Sequence, residues 1–132
     1  IFKSNDGGLT CTEIKNAKPS VFGFPVAVHP AEPKSAWFVP GAKDQWRYPV
    51  EGALVVSRTR DGGESFDVLR NGLPQQHAYD LVYRHGLDID ADGATLAFGS
   101  TTGNLFVSEN QGERWQNVSH YLPPIYSVRF AN

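Results

Sequence analysis

Three copies of one short pattern constrain this chain more than its composition does. The first runs Ser4-Asn5-Asp6-Gly7-Gly8 and is followed by Thr10-Cys11. The second runs Thr59-Arg60-Asp61-Gly62-Gly63 and is followed by Ser65-Phe66. The third runs Ser108-Glu109-Asn110-Gln111-Gly112 and is followed by Arg114-Trp115. The shared form is Ser/Thr-x-Asp/Asn-x-Gly, then Thr, Ser or Arg, then an aromatic whose place Cys11 takes in the first copy. From Asp6 to Asp61 is 55 residues, and from Asp61 to Asn110 a further 49. Self-similarity at such a period marks a repeated multi-stranded unit rather than a short solenoid turn.

The chemistry of the pattern is that of a tight hairpin. A Ser or Thr ends one strand, and the Asp or Asn side chain folds back to accept backbone N–H groups of the turn. The glycine takes a positive φ that other residues resist, and the aromatic opens the next strand. Asp6 and Asp61 are therefore turn closures before they are candidates for catalysis. The structural set is Ser4, Asp6, Gly8, Thr59, Asp61, Gly63, Ser108, Asn110, Gly112 and Trp115.

Between the hairpins, each period supplies two further strands. Val26–Val28 and Leu87–Ile89 read as first strands, Ala36–Val39 and Thr95–Phe98 as second strands. Ala53–Val56 and Asn104–Val107 read as third strands, Phe66–Leu69 and Trp115–Val118 as fourth strands. The fold class is thus all-β, a β-propeller fragment of four-stranded antiparallel blades, about two and a half in number. Residues 1–15 hold the third and fourth strands of a first blade, 23–71 a second blade and 72–118 a third. Residues 125–132 hold the innermost strand of a further blade, over Tyr126–Phe130. Propellers close with about 4–8 blades, so the remaining blades are expected from a parent chain, or from a homo-oligomeric ring of copies.

The repeat resembles the Asp-box, or BNR repeat, of sialidases, sortilin-type receptors, xyloglucan-cleaving glycosidases and uncharacterised bacterial propellers. That resemblance implies that the hairpins lie on the face opposite the ligand site. Binding residues are then implied on the innermost strands, on the loops joining second to third strands, and on the segments joining one blade to the next.

Two such segments stand out. Pro40–Gly52 is long where its counterpart Gly99–Gly103 is short, and it carries Trp46, Arg47 and Tyr48. Rings and a guanidinium on a rim stack on sugars or anchor protein partners. Leu73–His85 is rich in hydrogen-bonding groups, and His77, Tyr79, Asp80, Arg84 and His85 suit an anionic or polyhydroxyl ligand. The bland alternatives are that the rings cap their own blade edge and that Asp80 and Tyr83 join a hydrogen-bond network between blades.

Composition excludes several roles. The formal net charge is −2 and no basic stripe occurs, so no nucleic acid is expected. No apolar run approaches the roughly 18 residues of a membrane span, so no membrane partner is expected. The chain opens on Ile1-Phe2-Lys3-Ser4 without Met or a basic start, which reads as a trimmed piece without a secretory leader. A single cysteine, Cys11, forms no internal disulfide and fixes no compartment. His29, His77, His85 and His120 show no metal-ligand spacing, so neither metal nor cofactor is implied.

Two functions of different class follow. The first is a non-catalytic binding or scaffold module for a carbohydrate or protein ligand. The second is part of a glycoside hydrolase, sialidase-like or β-glucan-cleaving, completed by blades outside this sequence. No arginine, tyrosine or carboxylate here stands in a motif that carries a catalytic role across, which favours the first.

Overall fold

The computed structural model describes residues 1–131, in which ten strands form three antiparallel sheets. β1 (Phe2–Lys3) and β2 (Thr12–Glu13) make a two-stranded hairpin. β3 (Gly23–Val28), β4 (Ala36–Pro40), β5 (Val56–Thr59) and β6 (Asp67–Leu69) make a four-stranded meander in chain order. β7 (Leu87–Ile89), β8 (Leu96–Gly99), β9 (Leu105–Ser108) and β10 (Gln116–Ser119) make a second. The fold is all-β, an arc of four-stranded antiparallel propeller blades, and its blades follow the count that the repeat predicts.

Burial explains why these segments pair as they do. β5 and β8, interior strands of their sheets, are buried at every residue, whereas β3, at a sheet edge, alternates exposed and buried positions toward its end. One core lies between the two complete blades. Trp37, Val39, Leu54 and Val56 enter it from the earlier blade; Val82, Leu96, Phe98, Phe106 and Trp115 enter from the later. Phe98 packs at 5.0 Å from Phe106 and edge-on to Trp115 at 4.9 Å. Such side chains each contribute roughly 1.5–3 kcal/mol on burial, so the core is a joint between blades rather than a property of either sheet.

The three repeated turns share one hydrogen-bond scheme. Ser4, Thr59 and Ser108 each accept the glycine N–H through the side-chain oxygen, at 2.8, 2.8 and 2.9 Å. The same hydroxyls donate to Oδ1 of Asp6, Asp61 and Asn110 at 2.8, 2.8 and 2.9 Å. Each Oδ1 then accepts the N–H four residues on, at 2.9 Å in all three. Gly8, Gly63 and Gly112 have φ of 90°, 93° and 89°, the conformation expected of them.

Strand limits differ from the sequence reading in places. β5 starts at Val56, not Ala53, because Ala53 N–H donates to Val50 and Leu54 N–H to Pro74. Those donors are spent on the 3-10 turn Val50–Gly52 and on the incoming segment, not on the ladder. Phe66 and Trp115 sit just ahead of β6 and β10 instead of inside them. The segment 126–130 carries a single parallel bridge, Ser127 with His85. Val128 N–H donates to His85 at 2.9 Å, but Phe130 N–H goes to the Asp88 carboxylate at 2.9 Å, so the ladder does not extend. The expected segment 125–132 ends at Asn132, which lies outside the described residues.

Candidate functional site

The long loop after β4 is a preformed finger. Lys43 and Trp46 exchange backbone hydrogen bonds at 3.0 and 3.3 Å, and Ala42 N–H donates to Tyr48 at 2.8 Å. Arg47 closes the tip by binding the Asp44 carboxylate, Nη2 to Oδ1 at 2.6 Å. Buried Pro49 roots its base. The ordering of these residues is therefore complete before any ligand arrives, which lowers the entropic cost of binding.

The finger shows its rings to solvent. Trp46 is 52% exposed, with the Lys43 ammonium 5.1 Å from the ring. Tyr48 meets Tyr79, the latter 67% exposed, edge-on at 6.2 Å. Arg47 lies over Phe24 at 5.4 Å. Phe24 leads to Tyr83 at 6.5 Å, and Tyr83 stacks on exposed Tyr126 at 5.5 Å. The fold thus brings Trp46, Arg47, Tyr48 and Tyr79 together. It adds Phe24, which lies outside the strand read from the sequence at Val26–Val28, and Tyr126, read there only as the start of a strand.

The other candidates take different parts. His77 is exposed at a φ of 53°, and the following Ala78 N–H donates to Gly52, stitching the segment to the finger's base. Asp80 is buried, and its Oδ1 accepts from Ser100 at 2.6 Å and from Thr102 and Asn104 at 2.7 Å. This carboxylate fastens the segment to the short loop after β8 within the same blade, and Tyr83 takes no part in that network. His85 Nδ1 lies 3.1 Å from Arg129, whose guanidinium also donates to the Val128 and His85 carbonyls. Arg84 is exposed and makes no side-chain hydrogen bond or ion pair among the described residues.

Shifted acidities occur in turns. Hydrogen bonds, that of the Thr10 hydroxyl foremost, hold Asp6 at about 2. The Ser65 hydroxyl and the turn N–H groups push Asp61 lower still. At Asp90 burial pushes the carboxyl up, but donation from Thr95, Ala94 and Gly93 outweighs it and the net direction is down. Among the described residues no three His, Cys, Asp or Glu converge as a metal would need. Among the same residues no helix is long and apolar enough to cross a membrane.

No protein-family model matches the chain, and no curated protein matches it. Among solved structures it is similar to the GH74 enzyme of Niastella koreensis, at 14% identity and a TM-score of 0.64. The match covers 92% of this chain and 18% of that one, so the chain spans under a fifth of the enzyme's length. At that identity the likeness is one of fold, and it is the all-β propeller architecture that the two share.

Proposed function

We propose that the chain is part of an Asp-box propeller whose loop face binds a carbohydrate without cleaving it. The observation that carries this reading is the braced finger, which holds Trp46 and Tyr48 beside Tyr79 with their rings in solvent. Rings held in this way suit the apolar faces of sugars. The Arg47 charge is already answered by Asp44, which favours a neutral sugar over a carboxylated one. The buried carboxylate nearest the finger, Asp80, spends one oxygen on three donors, which argues for binding over acid catalysis. The fold shared with a GH74 enzyme supports a carbohydrate over a protein ligand.

Titration calorimetry with a soluble β-glucan and with a sialylated oligosaccharide tests the proposal. The glucan is expected to bind, and Trp46→Ala to weaken it about tenfold, the equivalent of about 1.4 kcal/mol. Melting should be unaltered because the ring is half in solvent. Binding to neither sugar, or an affinity indifferent to Trp46→Ala, would overturn the reading. The same likeness to a GH74 enzyme supports a second reading, a hydrolase site completed by further blades. Release of reducing sugar from the glucan would establish that one instead.

A further inference from the structure

Six asparagines fall among the described residues, and the fold leaves one of them unlike the rest. Asn16 Nδ2 donates to the Glu64 carbonyl at 2.7 Å, and Asn104 Nδ2 to the Asp80 carboxylate at 2.7 Å. Asn110 Oδ1 accepts from the Ser108 hydroxyl and from the Arg114 N–H, both at 2.9 Å. The amide atoms of Asn117 are sealed from solvent. Asn5 is exposed, but the N–H that follows it, on Asp6, goes to the Ser4 hydroxyl at 3.3 Å. Asn71 is exposed in the turn after β6, and its side chain makes no hydrogen bond among the described residues. The N–H that follows it, on Gly72, donates to none of them either.

Asparagine is chemically labile, and the backbone nitrogen that follows it is the attacking group. Asn71 alone of the six is followed by glycine, which has no Cβ to shield that nitrogen. The Gly72 nitrogen gives up its proton and bonds to the Asn71 Cγ, closing a five-membered succinimide. The Cγ–Nδ2 bond breaks, and the amide nitrogen leaves as ammonia. Water then opens the ring at either carbonyl, giving aspartate or isoaspartate. Water is the sole co-reactant, and no oxidant or reductant enters. We infer that Asn71 is the deamidation site of this chain, and that its conversion loosens the joint between the two complete blades.

The second half of the inference follows from what Asn71 holds. Its main-chain carbonyl accepts the Trp115 N–H at 2.9 Å, at the entry to β10. Gly72 lies so close to the Trp115 carbonyl that it has no room for a Cβ. Trp115 itself is buried in the core shared by the two blades. In the isoaspartyl form the main chain runs through Cβ and Cγ and is one methylene longer. The carbonyl that held the Trp115 N–H then becomes a free carboxylate, no longer bonded to Gly72. The close approach of Gly72 to Trp115 gives that added length nowhere to go. Both blades of this joint lie within the chain, and the inference does not depend on what the loop face binds.

Ageing the folded chain at mildly alkaline pH, below its melting temperature, tests both halves. Peptide mass spectrometry should find the mass gain of an amide-to-acid exchange at Asn71 before any other asparagine. Isoaspartyl methyltransferase should label the same peptide. Isomerisation at Asp92-Gly93 leaves mass unchanged, so the two events are told apart. The aged chain should melt below the fresh one. Asn71→Ser replaces a side chain that makes no hydrogen bond, so it should fold, and it should melt alike fresh and aged. An Asn71 peptide that keeps its mass, or gains it no faster than the Asn5 peptide, would overturn the site. An equal loss of melting temperature in the parent and in Asn71→Ser would overturn the loosening of the joint, as would no loss in a parent fully converted at Asn71.

Discussion

At the scale of single residues, the turns show how one oxygen does two tasks. Each Ser or Thr hydroxyl accepts a glycine N–H and donates to the acidic or amide side chain two residues on. The second carboxylate oxygen then sets the partner. Asp6 and Asp61 take the hydroxyls of Thr10 and Ser65 at 2.6 and 2.5 Å, and where the sequence has Asn110 it has Arg114 in place of a hydroxyl. Because Asp6 and Asp61 both titrate below their ordinary 3.8, they bind fewer protons folded than unfolded in the acid range. Their contribution to stability is present above about pH 4 and is lost as the pH falls toward 2 and below. The melting temperature should therefore drop over that window, and drop less steeply in Asp6→Asn/Asp61→Asn. Parallel curves for parent and variant would contradict this origin. Turn closure by the Asp side chain was legible in the pattern; the hydroxyl–carboxylate pairing and the depth of the shift required the hydrogen-bond geometry.

At the scale of elements, two glycines separate backbone strain from contact. Gly112 has a φ of 89° and faces the flexible end of Leu69 at 2.8 Å, with the Trp37 ring at an ordinary 3.4 Å beyond it. Gly112→Ala should cost about 1–2 kcal/mol, the ordinary penalty of the left-handed region, with Leu69 giving way. Gly72, at a φ of 86°, faces the Trp115 carbonyl within a fixed strand entry, where nothing can yield. Gly72→Ala should therefore cost more than Gly112→Ala in denaturant unfolding, and equal costs would refute the distinction. Gly112 belongs to the visible repeat. Gly72 carries no such signal, because its constraint comes from the Trp115 carbonyl, 43 residues further on. The finger follows the same rule. Its length and aromatic content were plain in Pro40–Gly52, but its hairpin form comes from Lys43 pairing with Trp46 and from Arg47 turning back on Asp44.

At the scale of the whole molecule, the blades are joined by a buried cation. Arg58 has 5% of its side chain exposed, donates to the Gln111 carbonyl at 3.1 Å, and pairs with Asp67 and Glu113, both more than half exposed. Trp37 donates to the same carbonyl at 2.9 Å. Removing the carboxylates should be worse than removing the cation, because it strands a buried charge while the reverse frees two solvated ones. Asp67→Asn/Glu113→Gln should lower unfolding stability by roughly 1–3 kcal/mol and Arg58→Met by less; the opposite order would show that the cation itself is the main cement. Local pattern sufficed for the repeat, the four-stranded unit and the glycine turns, since each rests on residues close in the chain. Which polar residues are satisfied internally and which stand in solvent was decided only by the tertiary fold. Asp80 became a fastening and Phe24 and Tyr126 joined the rings because the fold sets residues tens of positions apart side by side, and burial then determines whether a side chain is satisfied internally or left to meet solvent.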